Sequence, residues 1–256
     1  MTTPKNQSVQ KAFALLRSFR GPDEWVSNAE LSRRAKLSKA AAHRLITTLE
    51  DIGAVVRDSR GAYRPGLVLA SLSRDIVIGD LVRRASRGVL ADLADQLHGI
   101  IHLGVLENSM VTYADRIGAA THVTVPSQIG ARLEPYCSAL GKTLLSGLSD
   151  EQLDEYLCEG ALVALTPQTI TDRRRLFAEI RDIRHRGYAI DDREVYSTIC
   201  CVGVPIRDPN GQVVAALSLA DTAAHMSPGW KDEVSAALGS AAASISRKVY
   251  PSYAMQ

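Results

Sequence analysis

Residues 27–53 read SNAELSRRAKLSKAAAHRLITTLEDIG, and this stretch decides the first part of the fold. Ser27-Asn-Ala-Glu30 has capping-box spacing, which predicts a short helix through Ala35 that buries Ala29, Leu31 and Ala35. After Lys36-Leu37, Ser38 is a good N-cap for a longer helix. Its apolar positions, Ala42, Leu45, Ile46, Leu49 and Ile52, recur at three- and four-residue steps, and Gly53 stands where a C-terminal cap is wanted. Off that stripe lie Lys39, Ala40, His43, Arg44, Thr47 and Thr48. Small or polar near the helix start, they allow entry into a DNA major groove with polar groups at base edges.

The flanks agree with this reading. Ser8 to Phe19 is amphipathic, with Val9, Ala12, Phe13, Leu16 and Phe19 at helical steps, and Gly21-Pro22 ends it. Downstream, Val55-Val56-Arg57, the polar turn Asp58-Ser-Arg-Gly61 and Ala62-Tyr63-Arg64 predict a short β-hairpin. Helices followed by a basic hairpin are the order of a winged helix-turn-helix. The hairpin would carry Arg57, Arg60 and Arg64 to phosphates or the minor groove. A three-helix protein-interaction module with a solvated basic face is the other reading of the same residues.

Charge separates the chain into unlike parts. The net charge is +2, yet residues 1–73 hold 12 Lys and Arg against 6 Asp and Glu, and the rest hold 18 against 22. A basic first domain points to a polyanion; the mildly acidic remainder does not. With 256 residues, 46% of them hydrophobic, two domains with real cores are expected, and no apolar run reaches the roughly 18 residues of a membrane span. MTTPKNQ lacks the pattern of a secretory signal. Cys137, Cys158, Cys200 and Cys201 include no C-x-x-C, which suits a reducing cytoplasm.

Beyond the hairpin, Gly66 to about Leu97 is helical by pattern, broken near Gly79 and Gly88. Strands are predicted at Ile100–Leu106, Met110–Ile117, Cys201–Arg207 and Gln212–Ala220. Helices are predicted at Ala139–Ser146, Asp150–Cys158, Asp172–Arg186 and Pro228 to about Tyr250, the last with proline in its first turn. Pro135-Tyr-Cys-Ser138 leads straight into a helix, so Ser138 and the free amides after it could meet a carboxylate; an ordinary capped helix is the alternative. His98 and His102 sit at a helix–strand junction with no third ligand at a zinc spacing, and Cys201 has no activating partner in the sequence. Neither a metal, a cofactor nor an enzyme is expected.

Ser8-Val-Gln-Lys-Ala12, Ala29-Glu-Leu, Leu37-Ser-Lys39, His43-Arg44-Leu45, Thr48-Leu49, Gly53 and Tyr63-Arg-Pro-Gly66 closely resemble the N-terminal domain of the IclR family of bacterial transcription regulators, and the likeness runs nearly to the end of the chain. It implies an α+β protein with a winged helix-turn-helix at 1–68, a helical linker at 69–88 and a GAF-like α/β effector-binding domain at 89–250. Dimers or tetramers on palindromic double-stranded operators are implied as well. The family's effector loop, Ser/Thr-Ala-x-Gly-Lys, is matched by Ser138 to Lys142, so the resemblance implies that the Ala139 and Leu140 amides meet an effector carboxylate. Asp191, Cys201 and Ser218 match the family's pocket acid, cysteine and serine, while the second serine is Ala220 here. Tyr136-Cys137 is similar to members that control breakdown of aromatic acids, which makes Tyr136 an effector contact; a core tyrosine with its hydroxyl bonded is the alternative.

The resulting expectation is a cytoplasmic, ligand-responsive regulator without a membrane partner. Its DNA contacts would be Ser38, Lys39, Ala40, His43, Arg44, Thr47, Arg57, Arg60 and Arg64. Repression is the expected sign, since occluding a promoter demands less than contacting polymerase. A small-molecule-binding protein or enzyme with a degenerate winged helix is the rival, which a gel shift with upstream DNA separates.

Overall fold

The computed structural model describes residues 4–21, 23–74, 76–119, 122–225 and 227–251. The chain divides into two compact units between Ile76 and Val77, inside the stretch 69–88. In the first, helix α1 (Gln7–Leu16) precedes a short strand β1 (Val26–Ser27), α2 (Asn28–Arg34) and α3 (Lys39–Asp51). Strands β2 (Val55–Arg57) and β3 (Ala62–Pro65) form the hairpin, and α4 (Leu67–Ser73) follows. Ser27 and Ser38 cap α2 and α3 by accepting from the Glu30 and Ala41 amides.

The core of this unit is Leu15, Leu31, Ala42, Ile46, Leu49, Val55 and Tyr63, with Ala12, Leu16 and Phe19 against it. Several apolar positions fall elsewhere than their spacing predicts. Val9, Phe13 and Ala29 are exposed, and Ile52 is 59% exposed because α3 has ended at Asp51. Leu15 takes the place in the core that the pattern gave to its neighbours. Strand β1 was not expected; it joins the hairpin through Val26 opposite Tyr63, making a three-stranded sheet of order β1-β3-β2.

The second unit opens with α5 (Ile78–Leu97), an unbroken helix. The interruption lies before it, between Ser73 and Ile78, and not at Gly88, which is inside α5. Then come β4 (Ile100–Glu107), β5 (Met110–Ile117), β6 (Arg132–Leu133), α6 (Ala139–Leu145), α7 (Asp150–Cys158), α8 (Arg173–Arg186), β7 (Ala189–Asp192), β8 (Ile199–Arg207), β9 (Val213–Thr222) and α9 (Trp230–Val249). Pro228 lies outside α9, whose N-cap is Gly229 in the left-handed region. The strands form one antiparallel sheet of order β6-β5-β4-β9-β8-β7. The short edge strands β6 and β7 were not expected.

Period-2 alternation gives the sheet two faces with different contents. Ile101, Leu103 and Val105, with Val202, Val204, Ile206, Ala215, Leu217 and Leu219, pack on α5 and α9. The intervening residues, including His102, Gly104, Cys201, Gly203, Ser218 and Ala220, lie on the opposite face, over which α6 runs. A Cβ at Gly203 would sit 2.6 Å from the Ala139 carbonyl oxygen, so the missing side chain is what lets α6 approach the strand. Among the described residues, no helix is long and apolar enough to cross a membrane.

Candidate DNA interface and effector cavity

On α3, Lys39, Ala40, His43, Arg44, Thr47 and Thr48 are all exposed, as is the capping Ser38. The steps 39/43/47 and 40/44/48 stack them on one side of the helix. The turn before it is held by Ser32, whose hydroxyl donates to the Leu37 carbonyl at 2.6 Å. Arg34 braces α2 through ion pairs with Glu24 at 2.9 Å and Glu30 at 2.8 Å. Hydrogen bonds from Arg33 and Arg34 hold the Glu30 carboxyl down at about 2.

In the wing, Asp58 Oδ1 accepts from the Arg60 and Ala62 amides at 2.9 and 2.8 Å, which fixes the turn. Arg60 is exposed at its tip, and the exposed Arg57 stacks over Tyr63. Arg64 is less free: its guanidinium lies 5.1 Å over the Trp25 ring and 3.5 Å from Asp23.

The second unit holds a cavity of about 170 Å³ between the sheet and α6. Ser138, Ala139, Leu140, Asp191, Cys201 and Ser218 all line it. Strand register explains the convergence: Asp191 faces Cys201, Cys201 faces Ala220, and Ser218 faces His102. At the α6 end, Ser138 Oγ accepts from the Gly141 amide at 3.0 Å. The amides of Ala139 and Leu140 are in the first turn and have no carbonyl partner within the helix. Gly141 is required there, because a Cβ would lie 2.2 Å from the Pro135 carbonyl oxygen.

Tyr136 takes up the alternative position, that of a core tyrosine with its hydroxyl bonded. It is absent from the cavity wall and packs with Leu153, Leu157, Leu176 and Ile180, its hydroxyl donating to the Val163 carbonyl at 2.8 Å. The cavity also has walls that local sequence did not announce. His102 and Tyr113 come from neighbouring strands with rings 5.0 Å apart, and Val125, Tyr196 and Ile199 enclose the space.

Burial sets the electrostatics. Asp191 is 2% exposed, and burial pushes its carboxyl up to about 7 although it accepts from the Glu194 amide at 2.6 Å. His102 is pushed down to about 4 by burial and the Arg116 charge, so it is neutral; its Nε2 is 2.7 Å from Ser127 Oγ. Burial raises the Cys201 thiol well above its ordinary value, which keeps it protonated and unreactive. Behind the wall, Lys142 is 1% exposed and bonded to Glu194, with Glu179 at 3.8 Å. Burial, with the nearby Glu179 charge, nonetheless raises the Glu194 carboxyl against the pull of Lys142. This pair ties the α6 end of the cavity to the β7 end.

A winged helix with a basic face in one unit, and a polar-ended cavity in the other, define a transcription regulator with a ligand-binding domain. The chain belongs to the IclR family: residues 8–59 match the IclR helix-turn-helix domain, and residues 77–247 match the bacterial transcriptional regulator IclR C-terminal domain. It is 30% identical over 217 residues to the HTH-type transcriptional regulator XynR of Escherichia coli, covering 84% of this chain and 86% of that one. Among solved structures it is similar to the Thermotoga maritima IclR, with 32% identity, a TM-score of 0.63 and coverage of 94% and 98%. An IclR homologue of Microbacterium hydrocarbonoxydans complexed with 4-hydroxybenzoate shares the fold at 22% identity and a TM-score of 0.63, covering 96% of this chain and all of that one.

Proposed function

We propose that this regulator is a cytoplasmic, non-enzymatic repressor that binds a palindromic operator as a dimer or tetramer and is modulated by a small organic acid or a close derivative, with single-ring aromatic acids the favoured class. The carrying observation is the cavity. At about 170 Å³ it is close to the roughly 150 Å³ that accommodates a benzene ring. Ser138 and the Ala139 and Leu140 amides would receive the carboxylate. Asp191 at the other end would accept from a hydroxyl or N–H, with Cys201 and Ser218 on the side wall. When ionised, Asp191 would repel a second anionic group and select a donor; with burial raising its carboxyl to about 7, that preference would strengthen as pH rises through neutrality. The protonated Cys201 thiol supports binding over catalysis.

Lys39, His43, Arg44 and Thr47, with Ser38 and Ala40 at the helix start, would meet base edges and backbone, and Arg57 and Arg60 would meet phosphates. Arg64, stacked on Trp25, would follow more weakly. The 85% and 73% exposure of Leu67 and Leu72 on α4 supports burial against a second chain. Effector binding must favour one arrangement of the DNA-binding heads over another; a tenfold preference is about 1.4 kcal/mol.

The test is calorimetric titration with substituted benzoates (4-hydroxybenzoate among them), their amides and hydrazides, and simple keto acids. Asp191→Ala is expected to abolish binding of the responsive compound and leave operator affinity intact. If it binds that compound as tightly as wild type, the pocket assignment is wrong.

A further inference from the structure

Beside the cavity, at the end of β9, the fold gathers His122, Asp221 and His225. None of the three is adjacent in sequence, and none lines the cavity. His122 Nε2 and His225 Nδ1 lie 3.1 and 3.2 Å from the same Asp221 oxygen, and all three ligand atoms lie within 4.8 Å of one another. The two imidazoles meet edge to face with ring centroids 4.3 Å apart. Tetrahedral metal bonds of about 2.0–2.1 Å separate ligand atoms by about 3.3 Å, so two edges of such a site are already close to the required length.

The donors also specify the ion. Two imidazoles and one carboxylate suit a borderline divalent transition metal, zinc above all, and not calcium or magnesium, which take oxygen ligands. The Asp221 carboxylate is buried to 8% exposure and oriented by the Thr222 amide, which donates to it at 2.6 Å. Three protein ligands leave a fourth position for water. We propose that His122, Asp221 and His225 form a zinc-class metal site that pins the segment bearing His122 to the end of β9. The pin bears on the effector cavity, because Val125 lies three residues beyond His122 and Ala220 directly precedes Asp221, and both are cavity walls.

The untagged full-length chain, titrated with Zn²⁺ against a chromophoric chelator, tests this. One zinc per chain is expected, with affinity falling at least about tenfold in His122→Ala, His225→Ala and Asp221→Asn, and unchanged in Cys158→Ser, which removes the exposed thiol. Zinc should raise the melting temperature of wild type and of Cys158→Ser only. Co²⁺ should give visible bands without sulfur-to-metal charge transfer. Both histidines are exposed, so their variants should melt like metal-free wild type, which separates lost binding from lost folding. Absence of stoichiometric uptake, or uptake that survives the histidine variants and follows Cys158, overturns the proposal.

Discussion

Replacing Asp191 by Asn removes a titration that burial makes costly. In the folded chain the carboxyl is pushed from 3.8 to about 7, with desolvation the leading cause. Between those values the unfolded chain ionises this group while the folded chain holds its proton. The folded state therefore binds more protons, and stability falls as pH rises. The favourable contribution is complete below about pH 4 and is lost as pH passes through about 7. A gap of about 3 pH units at 1.36 kcal/mol each sets a ceiling of about 4 kcal/mol. Asn keeps an oxygen to accept the Glu194 amide and cannot ionise. The variant should match wild type near pH 4 and exceed it by about 2–4 kcal/mol at pH 8. Glu194, also raised by burial, is present in both chains and largely cancels in the difference. Urea unfolding followed through Trp230, in the second unit, measures this at a series of pH values, with unchanged slopes licensing the comparison. Parallel pH profiles for the two proteins would refute the reasoning.

Lys142→Met should destabilise the second unit by about 3–5 kcal/mol near neutral pH, because it strands the buried Glu194 carboxylate; adding Glu194→Gln should recover part of the loss, and a single-variant cost below about 1 kcal/mol in urea would contradict it. Arg60→Ala should weaken binding to all DNA sequences alike and flatten the plot of log affinity against log salt by about 0.9 per lost contact, read by fluorescence anisotropy, whereas His43→Ala and Thr47→Ala should alter base preference; an unchanged slope removes Arg60 from the phosphate contacts. Residues 1–73 alone should melt cooperatively yet bind operator poorly, having lost the effective concentration of linked heads; a monomeric fragment that protects a full palindrome from nuclease would show otherwise.

Much of the first unit is legible in sequence because its signals are local. Ser27, Ser38 and Gly53 punctuate the helices through their own backbone geometry, and Asp58 organises its own turn. Ala29 and Ile52 misled because apolar spacing shows that a face exists, not where a helix stops or what covers its ends. Strands β1, β6 and β7 are too short to display alternation and, unlike the equally short β2 and β3, are not joined to a partner strand by a tight polar turn; β7 also ends in two acids. In the cavity, residues within a continuous motif, such as Ser138 and Ala139, could be named in advance. His102 and Tyr113 could not, since only strand register brings them to the same space. Tyr136 followed its motif in sequence and left it in space, drawn into the apolar cluster between α7 and α8. The histidines that attract attention in sequence, His98 and His102, are a helix cap and a buried neutral ring, whereas His122 and His225 meet only through folding.

The alternation along β4, β8 and β9 has a consequence for how such a protein can change its taste. Each strand carries two interleaved messages: one set of positions is written for the helices behind, the other for whatever sits in front. Ser218 can be exchanged without disturbing Leu217 or Leu219, and Cys201 without disturbing Val202. Chemical selectivity and structural integrity thus fall largely on different positions of the same few strands, apart from Gly203 and Gly104, which face the cavity side and must stay bare for α6 to approach. A chain built this way offers a new molecule single positions, such as Ser218 and Cys201, whose neighbours along the strand face the opposite side.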